Sequence, residues 1–433
     1  MINLKKLISA ALLSTLALTS FAQNGVSPST NSPYTRYGFG QLTDQGFGSN
    51  KAMGGIGYGL RNGYHINAMN PASYSAVDSL TFIFDVGFSL QNANFKEKAY
   101  QSNVKNGRFD YVGMQFRLLK GLGMTIGYLP YSNVGYNFST SKNITDKATD
   151  EVITSTSTYD GNGGLQQAFV GLGYNVLKNL SIGINTAYFY GTIDHTITNG
   201  FSNSNAYLSM KGHEITVRDL KFDLGLQYTQ NINKNNKFTI GAIYGIGKKL
   251  NSKGINFNEL EYYNSKGSLS VLSYSADTLK NCFEIPKTIG AGLTYIYKDK
   301  LTIGADFTLQ KWGNALFFNK SGEFVDRKKI SLGIEYLPNK IGRKYFKRIY
   351  YRAGAYYSQP YTKINGKEGT EEFGASIGLG LPLFLYNYKS FLNISGQYVH
   401  IKSKVSGMLE ENYLRINIGL TFNERWFMKW KVD

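Results

Sequence analysis

Four histidines, His65, His195, His213 and His400, and one cysteine, Cys282, are the side chains best fitted to ligate a metal or attack a substrate. Their spacing serves neither purpose. No His-x-x-His or His-Glu-x-x-His sets two imidazoles on one helix face, as zinc hydrolases require. One cysteine cannot form an intramolecular disulfide or share a metal with a second thiolate. The glycine-rich run at 52–59, AMGGIGYG, lacks the Gly-Lys-Ser/Thr ending and the strand–glycine–helix context of a phosphate loop. The expectation is a chain that is not an enzyme and needs no metal or cofactor.

Charge offers a different chemistry. The formal net charge is +18, but the basic residues are scattered, without zinc-finger spacing, a recognition helix or a compact basic arm. Nucleic acid is therefore not an expected partner. Asp306, Glu335, Arg352 and Arg415 fall opposite the apolar faces of strand-like runs. Charges placed there must be paired or hydrated, because burial alone is costly. They suit a polar network inside a closed sheet, with selection of a solute as the second use.

The elements that carry these residues are strands. Leu301, Ile303, Ala305, Phe307 and Leu309 alternate with Thr302, Gly304, Asp306, Thr308 and Gln310. Successive side chains of a strand point to opposite faces, so one face is apolar and the other polar or small. The same alternation recurs at 222–229 and 414–423. About fourteen such runs are predicted, near 80–93, 107–118, 120–135, 163–176, 179–193, 213–230, 236–249, 284–298, 300–311, 326–337, 347–358, 371–381, 388–401 and 409–423. Short connections follow the even-numbered runs at Lys120, Lys178-Asn179, Asn231–Asn236 and Asp299, and longer ones, such as 136–162, 194–212 and 250–283, follow the odd. The stretch 250–283 has room for an extra hairpin. Long–short alternation is the signature of a transmembrane barrel with brief periplasmic turns and longer outer loops. Closure also removes the unpaired edges that hydrocarbon does not tolerate. Trp312, Trp426 and Trp430 lie near strand ends, where a polar–apolar boundary would suit them. The alternative, a large soluble β protein, would cover each apolar face with a second sheet.

Two segments precede the strands. Residues 1–22 read as a secretory signal peptide: Lys5 and Lys6, a short apolar core from Leu7 to Leu18, then Ser20-Phe21-Ala22. Cleavage after Ala22 would leave Gln23 first, in an outer-membrane protein with both termini periplasmic. Residues 23–79 are rich in glycine, which permits tight turns and close packing at an entropic cost. Something must enclose them, and the lumen of a barrel over 80–433 is the expected place.

The chain resembles the long-chain fatty-acid transporter family of outer-membrane barrels, in particular its divergent Bacteroidota versions. The resemblance rests on Asn70-Pro71-Ala72-Ser73 after AMGGIGYG, Ile285-Pro286, DFTLQKW at Asp306–Trp312, RAGAYYSQP at Arg352–Pro360, and Tyr413-Leu414-Arg415 followed by Gly419. It implies an all-β fold: a single antiparallel barrel of fourteen strands with an N-terminal hatch in its lumen, and release of hydrophobic ligands through a kinked strand. Met53, Ile56, Leu60, Ile66, Met69, Asn70 and Pro71 would then belong to the hatch and either contact ligand or pack it against the wall. Asn70 and Pro71 suit a turn, since proline fixes φ and the Asn carboxamide can cap backbone. Gly87, Gly113 and Pro130 are candidates for a wall opening, because glycine and proline in strands mark bulges and bends.

Two functions follow. One is a channel for passive uptake of hydrophobic small molecules, with a plug and a lateral exit; it predicts a continuous apolar path from the outer loops past the hatch. The other is a non-transporting barrel within a larger outer-membrane assembly, which predicts a blocked lumen and exposed docking surfaces. Outer-membrane lipids are partners in both, and other outer-membrane proteins in the second.

Overall fold

The computed structural model describes residues 30–97, 100–145, 152–203, 206–264, 267–383 and 390–425. The expected signal peptide, its cleavage point, and Trp426 and Trp430 lie outside these residues.

Fourteen antiparallel strands close into one barrel. They are β1 (Thr81–Glu97), β2 (Tyr100–Leu119), β3 (Leu122–Pro130 continuing as Ser132–Thr145), β4 (Val152–Asn175), β5 (Leu180–Phe201), β6 (Leu208–Asn233) and β7 (Asn236–Gly245). The second half comprises β8 (Thr288–Tyr297), β9 (Leu301–Gln310), β10 (Arg327–Tyr336), β11 (Tyr350–Ser358), β12 (Thr370–Pro382), β13 (Phe391–Ser403) and β14 (Glu410–Arg425). Each strand pairs with its neighbour, and β1 closes on β14 from Thr81↔Arg425 to Lys96↔Glu410.

Alternation decides which face looks out. Leu224, Leu226, Ile303, Phe307, Ile330 and Leu332 are exposed on the outer wall. Their neighbours Asp306, Gln227 and Ser331 are buried inside. This is the reverse of a soluble sheet, and it yields an apolar outer band around a polar interior.

One end of the barrel, the turn end, has tight connections such as 120–121 and 234–235. The loop end differs from the sequence reading. Residues expected as loops at 136–162 and 194–212 largely continue as strands, because β3 runs to Thr145, β4 begins at Val152, β5 runs to Phe201 and β6 begins at Leu208. Threonine and serine favour this extension: hydroxyls pair across strands at Ser139–Thr158 (2.9 Å) and Ser141–Thr156 (3.0 Å). The stretch 250–283 holds a hairpin, Ser252–Tyr263 and Leu269–Lys280, whose first strand extends the wall beside β6. Trp312 is not at the edge of the outer band. It is fully buried among loop-end aromatic rings.

Candidate functional site

The third strand is where the wall departs from a regular ladder. Expected as one run, it breaks at Tyr131. Proline lacks an N–H and ends the ladder on that side. Before the break, β3 pairs with β2 as far as Val112↔Tyr128. After it, Ser132–Thr145 pairs with β4, while on its other edge, among the described residues, it pairs only through Gln41↔Asn133 and Leu42↔Ser132. The register on β4 slips by one residue, from Pro130↔Gln166 to Val134↔Gly163. Gly163 (φ 105°) and Gly164 (φ 150°) absorb the bend in a backbone region that side chains disfavour. A seam therefore opens between the loop-end part of β2 and the second half of β3.

The N-terminal segment fills that seam. Asn106 Nδ2 of β2 donates to Asn31 Oδ1 (2.8 Å), and Gly135 N of β3 donates to Thr35 Oγ1 (3.2 Å). At the break, Thr43 N donates to Tyr131 O (2.9 Å) and Gln45 Nε2 to Pro130 O (3.2 Å). Ser32 Oγ donates to Glu411 Oε1 (2.7 Å), so the first described residues lie at the loop end, while the expected N-terminus, Gln23, lies outside the described residues. A cavity of about 1410 Å³ remains at the seam, lined by Tyr34, Arg36, Phe109, Tyr128, Pro130 and Phe138 among others.

From the seam the segment crosses the lumen. A one-turn helix, Gly48–Lys51, brings Lys51 Nζ to Asp110 Oδ2 on β2 (2.7 Å), and Arg108 Nε bonds the other oxygen (2.9 Å). All three side chains are almost wholly buried, and the Lys51–Asp110 pair ties the segment to the open edge of the wall. Sequence reasoning missed them. Nothing local in the chain announces that a lysine at 51 meets an aspartate at 110.

The expected lumenal charges are inside but form separate contacts. Asp306 accepts from Gly57 N (2.6 Å) and Tyr58 N (2.9 Å), binding the segment directly. Arg352 pairs with Glu335 (2.6 Å), donates to Asn393 Oδ1 (2.7 Å) and approaches His65 Nε2 (3.5 Å). Arg415 donates instead to the wall residue Gln91 (2.6 Å).

Asn70 is fully buried: its Oδ1 accepts from Ala72 N (3.1 Å), starting the 3-10 turn Pro71–Ala76, and its Nδ2 donates to Tyr58 O (2.8 Å) and to Leu226 O of β6 (3.1 Å). Pro71 lies against Gly225 and Gly183 of the wall. Met53, Ile56 and Leu60 form one buried cluster, Ile66 joins another with Phe47, Tyr74 and Phe169, and Met69 borders the central cavity. Gly113 and Gly87 are positions of close packing. A Cβ on Gly113 would press Phe47 at 2.7 Å, and one on Gly87 would collide with the Tyr111 ring. Gly87 also adjoins a bulge, between Gly87 and Phe88. Of the three candidates for an opening, only Pro130 borders the seam.

The lumen is closed above and narrow in the middle. At the loop end Phe39 of the segment sits among Phe283 (5.8 Å between ring centroids), Trp312 (5.9 Å) and Phe317 (5.5 Å), and Trp312 contacts Tyr361 (4.8 Å). Cys282 is buried in the same cluster. Outside it, Lys404 bonds Glu368 (2.7 Å) and Glu371 (2.9 Å), and these bonds push its ammonium above the usual lysine range. Below the cap the central cavity is about 160 Å³, bordered by Asp44, Lys51, Arg108, Asp306, Arg327 and Lys329. Among the described residues, no group of three or more His, Cys, Asp or Glu is placed to hold a metal ion.

Solved structures share this architecture. The CymD monoaromatic hydrocarbon channel matches with a TM-score of 0.59 at 14% identity, over 89% of this chain and 100% of its own. The toluene transporter TodX of P. putida matches with a TM-score of 0.57 at 15% identity, over 89% and 100%. The toluene transporter TbuX of Ralstonia pickettii gives 0.56 at 14%, over 88% and 98%. At such identities the likeness establishes the fold. No curated protein matches the chain. The family model described as BamG matches residues 1–433, from the first residue to the last, and the chain belongs to the BamG family.

Proposed function

We propose that this chain is an outer-membrane barrel that works as a subunit beside other outer-membrane proteins, with its lumen plugged. A signal peptide over 1–22 exports it, residues 23–79 are its hatch, the turn end is periplasmic, and the loop end faces outward. The observation that carries this reading is the loop-end cap, where Phe39 of the hatch is locked among Phe283, Trp312 and Phe317. Below the cap, the small central space is bordered by charged groups. Transport through the lumen would need an apolar path past these charged groups. Membership of the BamG family favours protein partners in the membrane. Purification in mild detergent from the native membrane is expected to bring down another outer-membrane protein at fixed stoichiometry. A chain that purifies alone while cells expressing it gain uptake of a labelled hydrophobic compound would reject the reading.

A second reading is favoured by the seam. Solved barrels of this fold are described as hydrocarbon and toluene channels. A hydrophobic solute could leave beside Pro130 straight into lipid, which avoids re-exposing its surface to water. Such passage would require residues 31–45 to leave the seam. A disulfide between Asn31→Cys and Asn106→Cys, in a Cys282→Ser background, should then abolish uptake. It should leave the assembly role intact.

A further inference from the structure

The turn end carries cations in five of its turns, from β2–β3 round to β10–β11. Lys120 stands in the β2–β3 turn, Lys178 in the β4–β5 turn and Lys234 in the β6–β7 turn. Lys298 and Lys300 flank Asp299 between β8 and β9. The longest connection, between β10 and β11, adds Lys340, Arg343, Lys344 and Lys347, all exposed. Asp78, Asp299 and Glu424 are the acids at this end. At the loop end some cations are paired, Lys311 with Asp326, Lys248 with Asp219, and Lys404 with Glu368 and Glu371. Among the described residues, no ion pair is recorded for Lys120, Lys178, Lys234, Arg343, Lys344 or Lys347.

The cations follow the lower margin of the apolar band. Leu119 (68% exposed) precedes Lys120, Leu177 (63%) precedes Lys178, and Ile232 (65%) lies two residues before Lys234. In the long turn, Ile341 (90%) and Phe346 (73%) stand beside Arg343, Lys344 and Lys347. Apolar side chains that leave water for acyl chains, each next to a free cation, match the two parts of a phospholipid: tail and phosphate.

We propose that this rim is a collar for anionic phospholipid headgroups of the periplasmic leaflet, with the β10–β11 turn as its strongest site. A protein partner would call for a patch on one side. Cations in five separate turns at one end of the barrel fit a layer that surrounds it. The strongest site also touches the plug, since Lys340 Nζ donates to Tyr64 Oη (3.0 Å) and lies over its ring (4.8 Å).

The test uses the full chain reconstituted in phosphatidylcholine bilayers with trace spin-labelled phosphatidylglycerol or spin-labelled phosphatidylcholine. The motionally restricted fraction is read by electron paramagnetic resonance. Several-fold preference for the phosphatidylglycerol probe is expected, falling with added salt. The triple variant Arg343→Ser, Lys344→Ser, Lys347→Ser should lose much of it, whereas Lys328→Ser on the outer side of β10 should not. Heat-modifiable gel mobility confirms that each variant is folded. Equal restriction of the two probes, or a triple variant that keeps the full preference, overturns the proposal. So does a wild-type chain without lipid preference whose turn instead captures an acidic protein. The collar rests on the membrane placement, not on the assembly reading; failure of that placement would appear separately, as a chain that does not insert.

Discussion

The wall from β7 to β9 and the wall at β2–β3 are made of the same material and end differently. β8 pairs along all ten residues with β7 on one side and β9 on the other. β3 keeps β2 only up to Tyr128, then turns away and takes Gln41 and Leu42 from the N-terminal segment at its edge. Both regions obey the same in–out alternation. The difference lies in a proline, a one-residue slip and two glycines at positive φ, which together redirect a strand that otherwise would have closed the ladder. In the regular wall the segment rests on finished strands; at the seam it completes the wall.

The contrast can be broken most severely at the buried ion pair. Asp110→Ala strands Lys51 without its partner, and losing one member of a buried pair costs about 3–5 kcal/mol. Urea unfolding from lipid vesicles should show that loss, and the triple change Lys51→Met, Arg108→Met and Asp110→Leu, which strands no charge, should recover most of it. Trp312→Ala removes the largest ring of the cap, at a cost of about 3–5 kcal/mol for a buried aromatic. It should also make the segment around Phe39 accessible to protease in folded barrels.

The regular wall predicts a smaller effect that depends on position. A Cβ at Gly354 would collide with Met53 and Gly54 of the segment, whereas one at Gly396 meets nothing within 4 Å. Gly354→Val should destabilise by about 1–3 kcal/mol, the usual range for overpacking. Gly396→Val should be close to neutral in the same unfolding assay. Pro130→Ala restores an N–H at a position whose bend is also held by Gly163 and Gly164. Its effect on stability should be under about 1 kcal/mol, and protease access at the seam should stay unchanged.

The in–out alternation of 301–310 and 414–423 was enough to read the barrel, because each strand states its own two faces. Asn70-Pro71 was legible for the same reason: the cap on Ala72 N is made within the chain's next residues. The seam was not legible. Pro130 marked a bend, but only the register against β4 shows that pairing with β2 ends there. Hydrophobic loops and polar strands also misled. Serine and threonine at 139–158 continue the ladder with both faces polar, and Trp312 serves a cap whose other members come from residues 39, 283 and 361. Contacts of that kind depend on which strands stand opposite one another in the closed ring, which no window of sequence contains.

The central claim is that the lumen is sealed by the hatch and its aromatic cap. Flux of a labelled monoaromatic compound into vesicles carrying the purified chain tests it most directly. The account predicts flux equal to that of protein-free vesicles, with and without the Asn31→Cys/Asn106→Cys tie across the seam. Flux above that background which the tie abolishes would contradict it and make the seam a working exit.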